Sequence, residues 1–113
     1  MNLYVAIKKN DLQNVKKYLK EENENNYNLI LRYAILYGNL GIIKYLIENG
    51  ANIHTSIDYP LRHAAKRGYF DVVKYLISCY SDIELKTLLF EVDNFYVKFL
   101  ILEFFQKKFS KNI

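Results

Sequence analysis

Residues 31 to 47 recur thirty positions later as residues 61 to 77. Leu31, Arg32, Ala34, Gly38, Lys44, Tyr45 and Leu46 fall on identical residues, Leu61, Arg62, Ala64, Gly68, Lys74, Tyr75 and Leu76; Ile43 and Ile47 fall on Val73 and Ile77. A repeat of this length is one supersecondary unit that cannot bury its apolar face alone, so its copies must stack and share a continuous core. The chain has 113 residues, which suits one such array and argues against a two-domain enzyme.

The same frame fits the start at an offset of 28, where Leu3, Ala6, Asn10, Leu12, Val15, Lys16 and Leu19 fall on Leu31, Ala34, Gly38, Leu40, Ile43, Lys44 and Ile47. A weaker copy at the end places Val97, Lys98, Leu100 and Ile101 on Val73, Lys74, Leu76 and Ile77 at an offset of 24, with Val92 where a glycine is expected. Each copy reads as two short helices. Gly38 and Gly68 occupy the reversal between them, a place for positive φ, and Asn10 suits the same role because Asn tolerates the left-handed region. Pro60 is expected at the first helical position of copy three, where its missing N–H costs nothing. Leu61, Ala64 and Ala65 then form an apolar stripe, and Phe70, Val73, Leu76 and Ile77 form the face of the second helix. Gly50 ends the second helix of copy two. Residues 51–59 show no helical period and are expected to be extended or turned, with an Asn-rich counterpart at 21–28. Ala34, Ala64 and Ala65 let first helices approach closely, and large residues there should overpack.

Hydrophobic residues at 51% and charged residues at 25% exclude a disordered or low-complexity chain. The longest run free of charged residues, His, Asn and Gln is Tyr75 to Ser81, too short for a membrane span. The opening Met1–Ile7 lacks a leading positive charge and runs into Lys8 and Lys9, unlike a secretory signal. One cysteine, Cys79, allows no internal disulfide, so an intracellular and cytoplasmic location is expected. The net charge of +4 could suggest nucleic-acid binding, but its sign alternates over the blocks 1–20, 21–60, 61–81, 82–105 and 106–113. A phosphate-tracking surface needs its basic residues on one face. Nucleic-acid binding through the lysines therefore remains the lesser alternative.

His54, His63 and Cys79 are the only candidate metal ligands or nucleophiles of their type, and their spacing matches no zinc pattern. Cys79 reads as a small packing residue. No Gly-rich phosphate loop, nucleophile elbow or zinc-protease helix is present. Neither a cofactor nor catalysis is expected.

At Pro60 to Ile77, and at Glu48-Asn49-Gly50-Ala51-Asn52-Ile53, the sequence resembles ankyrin repeats. The likeness covers residues 1 to about 83, and the remainder resembles a divergent terminal cap. It implies an all-α solenoid of helix-turn-helix repeats, about 1–27, 28–57 and 58–83, with a cap over 84–113, forming one domain. It also implies a non-catalytic module that binds proteins. The family period is about 33 residues; the loss of three falls between Gly50 and Pro60, so the projecting hairpin should be shortened. The family's Thr-Pro-Leu-His is here Tyr59-Pro60-Leu61-Arg62 and Leu29-Ile30-Leu31-Arg32. In this Asn-, Ile-, Lys- and Tyr-rich setting the shortened unit resembles the ankyrin arrays of amoeba-infecting giant DNA viruses, which implies action on host proteins.

The resemblance implies that hairpin tips and first helices line one concave side. The candidates there are Lys8, Lys9, Leu36, Tyr37, Lys66 and Arg67, with the tip residues Thr55, Ser56, Ile57 and Asp58. A partner with acidic and aromatic groups would suit such a strip; a solvated charged face is the alternative. Arg32 and Arg62 either clamp a partner carboxylate or satisfy carbonyls of the preceding turn. In the last segment Val97, Leu100, Ile101 and Phe104 match the stacked face, whereas Phe95, Phe99, Leu102 and Phe109 make a second face. Either residues 103–113 fold back as cover, or that face is an interface for a homo-oligomer or a partner helix.

Overall fold

The computed structural model describes residues 1–110, the side chains of Ile57 and Phe109 excepted. Its helices are α1 (Leu3–Lys8), α2 (Leu12–Leu19), α3 (Tyr27–Tyr37), α4 (Leu40–Glu48), α5 (Thr55–Arg67), α6 (Phe70–Ser78), α7 (Asp82–Glu91) and α8 (Phe95–Ser110), with a 3-10 turn at Glu24–Asn26. No strand occurs among the described residues. Consecutive helices pair as α1/α2, α3/α4, α5/α6 and α7/α8; α1, α3 and α5 pack in series as one row, and α2, α4, α6 and α8 as the other. The result is a stack measuring 50 × 28 × 23 Å.

The repeat positions are what hold this stack. Ala6, Ala34 and Ala64 are fully buried where the first-row helices meet, and Val15, Ile43 and Val73 are fully buried at equivalent places in the second row. Apolar burial of this kind contributes roughly 25 cal/mol per Å2, and side chains any larger than alanine would separate the first row. At the reversals, Asn10, Gly38 and Gly68 adopt φ of 56°, 65° and 75°, as the sequence pattern requires.

Two further ladders tie neighbouring units together. The residue after each glycine-type turn reaches back to the preceding unit: the Asn39 amide donates to the Ile7 carbonyl at 3.3 Å and the Tyr69 hydroxyl donates to the Leu36 carbonyl at 2.9 Å. Both carbonyls lie in the last turn of their helices, where the i+4 donors run out, and the Ile7 oxygen also accepts the Asn10 N–H at 3.0 Å. Along the second row, Lys16 lies 5.3 Å from the centre of the Tyr45 ring, and Lys44 lies 5.2 Å from that of Tyr75. The repeated Lys and Tyr are thus a cation–π ladder between units.

The segment before Pro60 differs from the sequence expectation. No hairpin projects; residues 53–54 form a turn and α5 begins at Thr55, so Pro60 lies inside the helix. The first turn of α5 is irregular, with Ser56 and Asp58 at φ of 52° and 56°. A helical residue at position 60 would donate its N–H to the Ser56 carbonyl, and proline has none to give. Arg62 substitutes, its Nη2 donating to that carbonyl at 3.0 Å. The proline is tolerated because a side chain two residues on satisfies the orphaned acceptor.

At the far end, Val97, Leu100 and Ile101 are buried as the weak repeat predicts. Phe104 packs partly against them. α7 starts with a capping box, Ser81 Oγ accepting from the Glu84 N–H and Glu84 Oε1 accepting from the Ser81 N–H. Of residues 103–113, one expectation for which is a fold-back cover, 103–110 continue α8 instead, and 111–113 lie outside the described residues. Phe70, expected on the packed face of α6, is 52% exposed, with its ring 4.4 Å from Tyr96. Cys79 is exposed as the C-cap of α6, not a packing residue, because the helix has ended where its side chain emerges.

Candidate functional site

α3 carries two parallel stripes. Ile30, Leu31, Ala34 and Ile35 are buried in the stack. Leu29, Arg32, Tyr33 and Leu36, at i, i+3, i+4, i+7 spacing, run beside them and stay accessible. Tyr4 from α1 and Tyr59 from α5 complete a groove of about 300 Å3 across the first row. Leu29 is 56% exposed, Leu36 39% and Tyr4 41%, so the groove presents apolar surface to solvent.

Its walls are fixed by ring contacts. Tyr4 meets Tyr33 edge-on, centroids 4.8 Å apart at 90°. Tyr33 in turn packs against Tyr37 at 5.4 Å, with their hydroxyls 3.4 Å apart. That hydroxyl contact, with burial second, raises the Tyr33 pKa, so the phenol stays neutral. Tyr59 stacks on His63 at 5.2 Å and 25°, and the Arg32 guanidinium lies 5.4 Å from the Tyr59 ring centre. Among the described residues Arg32 has no carboxylate partner, and no acidic side chain lines the groove. Burial, then the charges of Arg67 and Lys66, lower the His63 pKa.

A second cleft of about 320 Å3 opens where α7 leaves the first row. It lies between Leu61, Arg62, Ala65 and Lys66 on one side and Glu91 to Asn94 with Val97 on the other. A third hollow contains a polar network. Asp58 accepts from Tyr80 and faces His54 Nδ1, while His54 Nε2 faces Glu84, each at 2.5 Å. Burial, then the Asp58 bond, drives the Tyr80 phenol far above its ordinary pKa. Bonds from Ser81, ahead of His54, hold the Glu84 carboxyl below the usual range.

The structure therefore divides the sequence-derived strip. Arg32 and Leu36 line the first groove, Arg62 and Lys66 the second cleft, and Asp58 the polar network. Lys8, Lys9, Ser56 and Arg67 are exposed outside these hollows, and Tyr37 backs the first groove through Tyr33. Thr55, Ser56 and Asp58 are not hairpin tips but the first turn of α5, because the short linker leaves no chain to project. Arg62 takes the structural role, on the Ser56 carbonyl; Arg32 does not. The expectations for Ile57 and Phe109 fall on side chains outside the described set. Tyr4, Leu29, Tyr33 and Tyr59 were not singled out by the sequence, although the second stripe on α3 was there to be read. Phe95, Phe99 and Leu102 are 82%, 52% and 57% exposed, and Phe90 and Ile83 on α7 are 90% and 77% exposed. His54, His63 and Cys79 do not converge: His54 is held between two carboxylates, His63 stacks on Tyr59, and Cys79 faces solvent.

The family model described as ankyrin repeats, in three copies, matches residues 3–87. The chain belongs to the ankyrin-repeat family. Two proteins of Acanthamoeba polyphaga mimivirus, ankyrin repeat proteins L66 and L112, are 43% and 51% identical over 69 and 53 residues. These matches span 53% and 47% of this chain and 12% and 11% of the relatives. Human protein phosphatase 1 regulatory subunit 27 is 42% identical over 55 residues, 46% of this chain and 36% of that protein. The chain thus corresponds to a minor part of each relative. No solved structure shows significant similarity. Ankyrin repeats are protein–protein interaction modules and are generally non-catalytic. No helix of the described residues is long and apolar enough to cross a membrane.

Proposed function

We propose that this chain is a non-catalytic adaptor that binds a protein partner through the first-helix row, with the Tyr4–Leu29–Arg32–Tyr33–Leu36–Tyr59 groove at its centre. The observation that carries this reading is the exposure of Leu29 and Leu36 beside a guanidinium without a carboxylate partner, on the row that stacking leaves open in a family of binding modules. Lys8, Lys9, Lys66 and Arg67 supply a basic surround that favours acidic partners. Similarity to the two mimivirus proteins supports a giant-virus origin, and with it action on host proteins inside the infected cell; a single cysteine agrees with a reducing compartment. The nucleic-acid alternative loses support because Lys16 and Lys44 are engaged over tyrosines of the second row, away from the basic residues of the first.

The test is capture of partners from an amoebal extract by the purified chain and by an Arg32→Glu/Leu36→Lys variant. Capture should be lost while the far-ultraviolet circular dichroism and melting curve stay as in the wild type. Equal capture by both would dismiss the groove.

A second reading rests on Phe90 and Phe95, which are 90% and 82% exposed, since large apolar side chains left open in this way mark interfaces. They make the α7/α8 face a candidate homo-oligomer contact. Sedimentation equilibrium should then show a dimer that Phe95→Glu dissociates, and a monomer at all concentrations ends that reading.

A further inference from the structure

The first-row groove has a chemical polarity that specifies more than a generic protein surface. Three tyrosines surround it, two of them set edge to face, and by themselves such rings would suit a cation. Arg32 decides against one: its guanidinium already lies over Tyr59, and a second positive group beside it would be repelled. The guanidinium has five N–H donors in a fixed fork, and its central carbon lies 5.4 Å from the ring centre. Among the described residues no Asp or Glu lines the groove to take them up. The remaining lining, Leu29 and Leu36 with the bodies of Tyr4 and Tyr33, is apolar and accessible. The site thus offers an apolar trough with a fixed fork of donors at its edge.

We infer that the groove takes a peptide segment of the partner protein in which a bulky aliphatic or aromatic side chain fills the trough and a neighbouring carboxylate pairs with Arg32. The inference rests on the adaptor reading above and narrows it to one class of sequence. Bidentate pairing of a carboxylate with arginine fixes direction as well as position, so the acid lies on one side of the anchor and not on both. Arg62, though equivalent in the repeat, does not serve this purpose, because it donates to the Ser56 carbonyl in the preceding turn.

A random twelve-residue peptide library displayed on phage is panned on the full chain. The enriched peptides, synthesised with a fluorescent label, are the probes, each beside a partner in which Asp or Glu is replaced by Asn or Gln. The expected result is a shared Leu, Met or Phe with an acid at a fixed offset. Replacing the acid should weaken binding at least tenfold. Arg32→Gln should weaken the acidic peptide by a similar factor and abolish its advantage over the amide peptide; Arg32→Lys should recover only part of it. Circular dichroism confirms that each variant is folded. Peptides that lose binding on Leu36→Lys yet tolerate loss of the acid, or that are rich in Lys and Arg, overturn this inference and leave the adaptor reading standing. Peptides indifferent to both Leu36→Lys and Arg32→Gln overturn the groove itself, and with it both readings. A library yielding no peptide counts against the inference as well.

Discussion

Gly38 and Gly68 occupy the same place in successive units, with φ of 65° and 75°, yet alanine should cost much more at the first. Any L-residue in the left-handed region costs roughly 1–2 kcal/mol, and that is nearly all Gly68→Ala should show, since the nearest atoms to its new Cβ are those of Phe70 at 3.8 Å. At Gly38 a Cβ would meet three atoms of the Tyr69 ring at 2.8–2.9 Å. Near-equal distances to Cδ1, Cδ2 and Cε2 mean that the ring lies face-on, so no small rotation clears it. Displacing the ring also strains the bond from its hydroxyl to the Leu36 carbonyl, worth about 1 kcal/mol, and overpacking adds on the order of 1–3 kcal/mol. Gly38→Ala should therefore be less stable than Gly68→Ala by about 2 kcal/mol. Urea unfolding followed by circular dichroism should separate the two midpoints by on the order of 1 M, given slopes of about 1–3 kcal/mol/M. In a Tyr69→Ala background the excess should vanish. Equal costs at the two glycines, or an excess that survives removal of Tyr69, would refute the ring-on-turn account.

Three more outcomes follow from the same contacts. A double-mutant cycle of Lys44→Ala and Tyr75→Ala should show coupling of about 0.5–1 kcal/mol, shrinking with added salt; additive effects would remove the second-row ladder from what holds the units together. Ser81→Ala breaks the capping box of α7 and should cost about 1 kcal/mol, read as a lower urea midpoint. Burial lowers the His63 pKa, so the unfolded chain takes up a proton near its ordinary value and the folded chain only at lower pH. The resulting stability is complete above about pH 6.5 and declines as pH falls through the folded value. His63→Gln should flatten the loss of urea midpoint between about pH 7.5 and 5, and an unchanged slope would assign it elsewhere.

The stack was legible because it rests on identities. Buried alanines, turn glycines and the Asn10 substitute recur at fixed offsets, and each has one physical job that only a few residue types can do. The start of α5 was not legible for the opposite reason. Pro60 reads locally as a helix start, whereas in the structure the helix begins at Thr55 and the Arg62 side chain bonds the Ser56 carbonyl that the proline leaves without a donor. Periodicity carries no trace of such a rescue. The polar network of His54, Asp58, Tyr80 and Glu84 was hidden likewise: His54 and Asp58 stand at i, i+4, but Tyr80 and Glu84 reach them only through the stacking of α7 beside α5.

The candidate site follows from the positions where the copies disagree. Leu29 and Tyr59, Tyr33 and His63, Leu36 and Lys66, and Tyr37 and Arg67 are equivalent pairs, and all lie on first helices. Stacking constrains them little, so chemistry is free to change from unit to unit, and a groove crossing three units acquires walls that no one of them would have alone. Arg32 and Arg62 are the exception, identical yet put to different uses. The difference lies two residues earlier: Ile30 keeps the backbone N–H that Pro60 lacks, so in copy two the first turn needs no side chain in its place. Arg32 is thereby released to lie over Tyr59, while Arg62 stays bound to its own turn. Pro60→Ile should then restore the helical bond to the Ser56 carbonyl and make the Arg62 contact there redundant, so Arg62→Ala should lower the urea midpoint less in the Pro60→Ile background than in the wild type, and an equal loss in both would refute the account.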